Sequence, residues 1–326
     1  MQNHNPCKVT IVPYLKFNNY FRYGRTISPP VSVIIVTYNS EVEINNTLTG
    51  LENTDYCNCD LILVENYSSD KTPQILKEWS KNAKLKNSII MGDPNHCFSK
   101  GINLGIKECS GKYIIVANDD LIFHKGDWLR IMVDVMEQNQ DIGTLGPVIL
   151  NRDGKTVQSA GFSGLIHSFY RSVWTGRNLS SLPNGISYID TIMGVIMMFR
   201  RNTLDQINGF DEELCPVLFE DTDTVWRISN LGFRIAVALE SNVIHLGGSS
   251  FGNDNSRPRN AYVQAYAKNA LRSILKNSSF VMIYPEILAL STTQIFFNRL
   301  TGLKALIESV RWNARNLDVI KELRRH

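Results

Sequence analysis

The sequence predicts an α/β protein with a mostly parallel central sheet flanked by helices. Three observations predict it. Short β-branched runs recur through residues 31–117, segments of helical spacing separate them, and the connections between the two are short.

Residues 1–30 are polar and aromatic and end in Pro29-Pro30, which stops regular structure, so they are expected to form an extension outside the core fold. Val31–Thr37 (VSVIIVT) has the unbroken apolar character of a strand buried on both faces. Val42–Leu51 repeats apolar residues at helical spacing. Asp60–Glu65 (DLILVE) is a second buried strand, and Thr72–Trp79 a helix with Asp70 or Ser69 as N-cap. Ser88–Met91 is a third strand, Ser99–Lys107 a helix, Tyr113–Ala117 (YIIVA) a fourth strand and Trp128–Gln138 a helix. Strands are then expected at Gly143–Leu150 and Thr156–Gly161, around the Asn151–Gly154 turn. Phe162–Ser187 shows no period. Thr191–Phe199 (TIMGVIMMF) reads as a buried strand, with Met193, Met197 and Met198 in the core. Arg201–Ile207 and Glu220–Leu231 read as helices ended by Gly209 and Gly232, and Arg234–Ala238 as the last strand. From Pro258 the chain is expected to be helical.

The chain has 326 residues, with 34 Lys and Arg against 31 Asp and Glu. Twelve of those cations and only four of the anions lie from Arg257 onward, leaving the rest of the chain net acidic. A basic tail on an acidic body points to an anionic surface, membrane lipid ahead of nucleic acid. No apolar run reaches the roughly 20 residues of a membrane span, and the N-terminus lacks the apolar core of a signal peptide. The six cysteines include no CxxC pair, so reduced thiols in a cytoplasmic protein are expected.

Ligands of open α/β sheets bind beyond the carboxyl ends of the strands. Those ends read Thr37-Tyr38-Asn39-Ser40, Glu65-Asn66-Tyr67-Ser68-Ser69-Asp70 and Asn118-Asp119-Asp120, with Asn95–Gly105 between the last two. Neither a GxGxxG fingerprint nor a Walker A loop follows the first strand, so a nucleotide would be held by side chains and a metal. Adjacent carboxylates at a strand end repel unless a cation or solvent relieves them. Mg²⁺ or Mn²⁺ is the natural occupant, although a lone Asp-Asp is more often a solvated turn. Downstream, Phe219-Glu220-Asp221-Thr222-Asp223 opens a helix and His245-Leu246-Gly247-Gly248-Ser249 follows the last strand. Acids in a first helical turn are also favoured by the helix dipole alone.

VSVIIVTYNS, VENYSSD, NHCFSKGINLG, YIIVANDD, INGFDEEL, FEDTDTVWRISNLGFRI and VIHLGGSS occur in that order. This set resembles the inverting family 2 glycosyltransferases of GT-A (Rossmann-like) fold, over about residues 31–250, and is nearest in flavour to bacterial rhamnosyltransferase-like members. The resemblance implies a catalytic domain at 31–256, divided into a nucleotide-binding half at 31–120 and an acceptor-side half at 121–256. A basic helical region would occupy 257–326. Thr37, Tyr38 and Asn39 would line the nucleotide pocket. Glu65, where the family more often has Asp, would bond the base. Asp70 and Asn103 would shape the pocket. Asn118 and Asp120 would stand at the outer positions of a DXD-type motif, with Asp119 between them. Asp120 and His245 would hold the metal. Asp221 would be the general base of a single inverting displacement, supported by Glu220 and Asp223. Gly209, Phe210 and Asp211 would lie on the acceptor side. Trp174 is either a sugar-stacking residue or an ordinary surface aromatic; His124 and His167 have no assignable partner.

The implied substrates are a dTDP- or UDP-linked sugar and a saccharide or lipid-linked saccharide of the cell envelope. The implied location is cytoplasmic, peripheral on the inner face of the plasma membrane, with no nucleic-acid partner. The C-terminal helices suit either that membrane surface or packing on the catalytic domain. A sugar-nucleotide nucleotidyltransferase is the alternative enzyme; it would want a glycine-rich basic loop after the first strand, which Thr37–Ser40 is not. A non-catalytic sugar-binding scaffold of the same fold is the other alternative. Nothing in the sequence sets the oligomeric state.

Overall fold

The structure, a computed structural model, describes residues 10–12, 28–94, 97–164, 170–216, 218–247 and 259–324. Asn95, His96, His167, Gly248, Ser249 and Arg257 lie outside the described residues, as does most of the 1–30 segment. In chain order the first elements are β1 (Thr10–Val12), β2 (Val31–Thr37), α1 (Ile44–Glu52), β3 (Cys59–Glu65), α2 (Thr72–Asn82), β4 (Lys86–Met91), α3 (Phe98–Glu108), β5 (Tyr113–Ala117), β6 (Leu121–Ile122) and α4 (Trp128–Gln138). There follow β7 (Ile142–Leu150), β8 (Val157–Ser159), β9 (Phe162–Ser163), β10 (Arg171–Ser172), β11 (Ile186–Ile189), β12 (Ile196–Arg200), α5 (Arg201–Gln206), α6 (Glu220–Asn230) and β13 (Arg234–His245). The chain continues through α7 (Arg259–Asn277), α8 (Phe280–Arg315) and α9 (Leu317–Leu323).

The central sheet runs β1-β11-β13-β7-β12-β5-β2-β3-β4. β2, β3, β4 and β5 are mutually parallel, and β13 is parallel to β7. β12 lies antiparallel between β5 and β7, and β11 antiparallel to β13. The expected mostly parallel, helix-flanked α/β sheet is therefore present, with antiparallel insertions in its second half.

Side chains alternate across each strand. Val33 and Ile35 of β2 join Leu48, Leu63 and Trp128 in one core. Ile34 and Val36 join Ile102, Met197, Phe199 and Ile228 in the core on the other face. This two-sided burial explains the unbroken apolar run of β2. Gly105 lets α3 approach closely: a Cβ there would lie 2.6 Å from Ile34 Cγ2.

Four expectations need correction. Thr10–Val12 pairs with Ile186–Tyr188, so part of the N-terminal segment belongs to the sheet as an edge strand instead of lying outside the fold. The expected strand at 191–199 begins only at Ile196, because Gly194 and Val195 are used in loop contacts described below. β13 does not stop at Ala238 but runs to His245 through a register shift between Ala238 and Asn242, so His245 ends a strand and is not on a glycine loop. Finally, Cys97 and Cys215 are joined in a disulfide with Cα atoms 5.2 Å apart, across 118 residues of sequence. Cys57, Cys59 and Cys109 are free thiols.

Candidate active site

The parallel register sets Thr37 beside Glu65 and Ile35 beside Ala117, so three of the polar strand ends lie together. Thr37 is buried and donates through Oγ1 to Val64 O at 3.4 Å. Asn39 adopts φ 52°, a conformation Asn tolerates better than most residues. Its amide donates to Ser68 Oγ at 3.0 Å and its Oδ1 accepts from the Ser69 amide at 2.8 Å. Glu65 is buried and accepts the Tyr67 and Ser68 amides at 3.1 and 2.7 Å. Asp70 accepts the Glu41 and Thr72 amides. Partial burial pushes its pKa up, but the bonds from Thr72 and Glu41 prevail and hold it below the ordinary carboxylate value. The loops after β2 and β3 are thus laced together by the residues singled out in the sequence.

Asp119 and Asp120 point to different partners. Asp119 accepts from Ser40 Oγ in a very short contact and from the Tyr38 amide at 3.4 Å. Burial, with Asp120 adding to it, raises its pKa to about 7 against the Ser40 bond. Asp120 Oδ2 lies 3.3 Å from His245 Nε2. Its Oδ1 is buried with no hydrogen-bond partner among the described residues. β13 brings the imidazole there: His245 pairs with Leu121 of β6, and its Nδ1 meets Gln158 Oε1 at 2.9 Å. Gln158 was not singled out in the sequence, and no local pattern marks it. An unsatisfied carboxylate oxygen beside an oriented imidazole is a donor set that fits a divalent ion with open positions for phosphate oxygens. Among the described residues no set of three or more His, Cys, Asp and Glu side chains gathers, so the protein would supply only those few ligands.

α6 begins under strain. Leu218 and Phe219, neither of them glycine, sit at φ 82° and 71°. Phe219 packs edge-on against Tyr266 of α7, with ring centroids 5.0 Å apart. The carboxylate of Asp221 accepts the Thr222 amide at 2.6 Å and the Gly194 amide at 2.9 Å. Its pKa is raised by burial, which these bonds oppose. Glu220 is pushed up to about 8, chiefly by burial and further by Asp221. Glu220 Oε2 is sealed from solvent without a hydrogen-bond partner among the described residues. Gly194 is a site residue the sequence reading passed over. A glycine inside an apolar run was the available signal, since it marks close backbone approach.

Asp223 faces elsewhere. It is fully buried and bonds Arg227, Lys276 and Asn277. Burial alone would raise its pKa; Lys276 and Arg227 outweigh it and lower it. Asp211 joins the same network through Arg272 and Lys276. Its pKa falls well below the carboxylate range, since those cations override burial. Phe210 is buried edge-on against Phe199, and Gly209 accepts from Arg227. Asn103 accepts from the Phe210 amide and donates to Phe210 O and Glu212. These four residues form one packed unit behind α6. Trp174 adopts φ 63° with Arg177 over its ring, and its Nε1 is sealed without a hydrogen-bond partner among the described residues.

The sequence matches the family model Glycosyl transferase family 2 over residues 32–205, more than half of the chain. The chain belongs to glycosyl transferase family 2. It is 25% identical over 274 residues to the low-salt glycan biosynthesis hexosyltransferase of Haloferax volcanii, covering 82% of each chain. A poly-β-1,6-N-acetyl-D-glucosamine synthase of Staphylococcus epidermidis is 24% identical over 210 residues, which are 63% of this chain and 47% of that one. The chain therefore spans about half the length of that relative. Among solved structures, a mannosyltransferase from Pyrobaculum calidifontis in complex with GDP-Man and Mn²⁺ superposes with a TM-score of 0.56 at 16% identity, covering 89% of this chain and 76% of that one. That likeness establishes the GT-A fold. The protein is a family 2 glycosyltransferase.

Proposed function

We propose that this glycosyltransferase moves a sugar from a dTDP- or UDP-linked donor, rhamnose being the first to try, to a hydroxyl of a saccharide or lipid-linked saccharide in cell-envelope polysaccharide synthesis, with inversion. The observation that carries the reading is a two-residue bridge. The Gly194 amide donates to Asp221, and the next residue, Val195, accepts the Asn118 amide at 2.9 Å. Two acidic segments a hundred residues apart thereby meet across one peptide unit.

In this reading Asp221 takes the proton of the acceptor hydroxyl as its oxygen attacks the anomeric carbon, and the bond to the diphosphate breaks in the same step. Glu220, kept protonated near neutral pH, spares Asp221 a second charge at close range. Thr37, Tyr38, Asn39, Glu65 and Asp70 order the loops that receive the nucleotide. Asp120 and His245 would hold a Mg²⁺ or Mn²⁺ ion, which neutralises charge on the departing diphosphate. Asp211 and Phe210 support the acceptor wall from behind α6. We assign residues 31–256 to catalysis and 257–326 to a helical region that meets the membrane face. Among the described residues no helix is long and apolar enough to cross a membrane.

The test pairs binding with turnover. A panel of UDP-, dTDP- and GDP-sugars, read by thermal shift with Mn²⁺ or EDTA, identifies the donor. Asp221→Asn is then expected to keep donor binding and lose transfer. Normal turnover by that variant overturns the assignment of the base.

A further inference from the structure

Gln294 and Gly302 lie in the same helix, α8, eight residues apart, which on a straight helix is about 12 Å. A Cβ on Gly302 would nevertheless collide with the Gln294 carbonyl oxygen. α8 therefore doubles back between them. Its first arm packs Leu290 on Ala270, Leu271 and Ile274 of α7. Its second arm packs Ala305 on Val263 and Ala267, and Ser309 donates to Ala267 O at 2.8 Å. The bend thus lies at the N-terminal end of α7. Asn269 of α7 donates to Leu218 O, which marks the level at which α6 begins. Val263 is six residues earlier, so the bend stands about 9 Å beyond the end of α6 that carries Glu220 and Asp221.

At that bend Ile295, Phe296, Leu300 and Leu303 are 48, 79, 76 and 44% exposed. Exposed Lys304 and Arg311 flank the stripe on the second arm. An anionic bilayer takes both parts of the surface, the apolar side chains among its acyl chains and the cations among its phosphates. We infer that the bend of α8 inserts shallowly into an anionic membrane and holds the catalytic end of α6 toward it. This deepens the proposed use of a lipid-linked acceptor and rests on that reading only for the purpose of the contact.

The test is sedimentation of the full chain with vesicles of phosphatidylcholine mixed with phosphatidylglycerol, against phosphatidylcholine alone. The wild type is expected to bind the mixed vesicles in preference. Phe296→Ser with Leu300→Ser should weaken binding at least about tenfold, with circular dichroism and donor-induced thermal shift unchanged. Lys304→Glu with Arg311→Glu should remove the preference for the anionic lipid. Binding by both variants like the wild type, no binding by the wild type, or a dimer that the Phe296 variant abolishes would each overturn the inference. Asp221→Asn should bind vesicles normally, so a failure of the catalytic reading would show in transfer alone.

Discussion

Gly194 and Asp221 are in contact so close that only glycine fits between the backbone and the carboxylate. The Gly194 amide donates to Asp221 Oδ2 at 2.9 Å, and a Cβ built on Gly194 would lie 2.7 Å from that oxygen and 2.8 Å from Asp221 Cβ. Asp221 cannot retreat freely, because its other oxygen is held by Thr222 at the first turn of α6. Gly194→Ala is therefore expected to displace the proposed base, Asp221. Overpacking of this kind costs about 1–3 kcal/mol of stability, while the loss of a placed general base costs about 10²–10⁴ in kcat. Steady-state kinetics beside a urea melt check it: kcat should collapse while donor affinity survives. Unchanged kcat would remove Gly194 from the catalytic account.

Glu220 gives a pH signature. Its folded pKa, about 8, lies above the ordinary 4.5 because burial and Asp221 disfavour its charge. A carboxyl shifted upward contributes stability that is full below the unfolded pKa and is lost as pH rises through the folded value. The melting temperature of the wild type should thus fall between about pH 4.5 and 8 relative to that of Glu220→Gln, which has no proton to lose there. Parallel profiles for the two proteins would mean that Glu220 is already ionised.

The Asp120–His245 pair predicts a metal dependence with its own readout. Asp120 Oδ1 is buried with no hydrogen-bond partner among the described residues, and Oδ2 is 3.3 Å from His245 Nε2. Mn²⁺ alone should raise the melting temperature of the wild type, and EDTA should reverse the rise. Asp120→Asn keeps the shape and removes the charge, so it should abolish most of that shift and raise the Mn²⁺ concentration needed for transfer by about 10–100-fold. A full Mn²⁺ shift in Asp120→Asn would place the ion elsewhere. Gln158→Ala, which frees the far side of the imidazole, should have the same effect in weaker form.

Much of the fold and of the candidate site is legible in the sequence alone. The apolar run of β2 reports burial on both faces, and the acids after β3 and β5 fall at the carboxyl end of the sheet. His245 was legible as a residue but not as part of a strand. Glu240, Ser241 and Asn242 interrupt the apolar pattern where β13 shifts register, and polar residues at a bulge look like a turn. Cys97 and Cys215 had no local signature, because nothing in their spacing says that the start of α3 meets the segment before α6. The charge sum of the basic tail overstates its surface charge. Arg272 and Lys276 count as surface charge in a sum over the sequence, yet both are buried against Asp211 and Asp223. Net charge carries no information about which charges are spent inside.

Those buried cations yield the final prediction. Lys276 Nζ reaches Asp211 and Asp223 together, with its side chain only 1% exposed. Asp223 lies two residues from Asp221 on α6, so α7 fixes the register of the helix that carries the proposed base through this lysine. Losing a partner from a buried ion network costs up to about 3–5 kcal/mol; Arg272 and Arg227 still face Asp211 and Asp223 when Lys276 is removed, which puts the cost at the lower end of that range. Lys276→Met should therefore lower stability by about that amount in a urea melt and should also reduce kcat, since α6 is freed to shift. Adding Asp223→Leu to Lys276→Met should recover neither stability nor activity, because Arg227 then loses its carboxylate partner and the tie between α7 and α6 stays broken. Recovery of both together would show that the network serves folding alone and does not position Asp221.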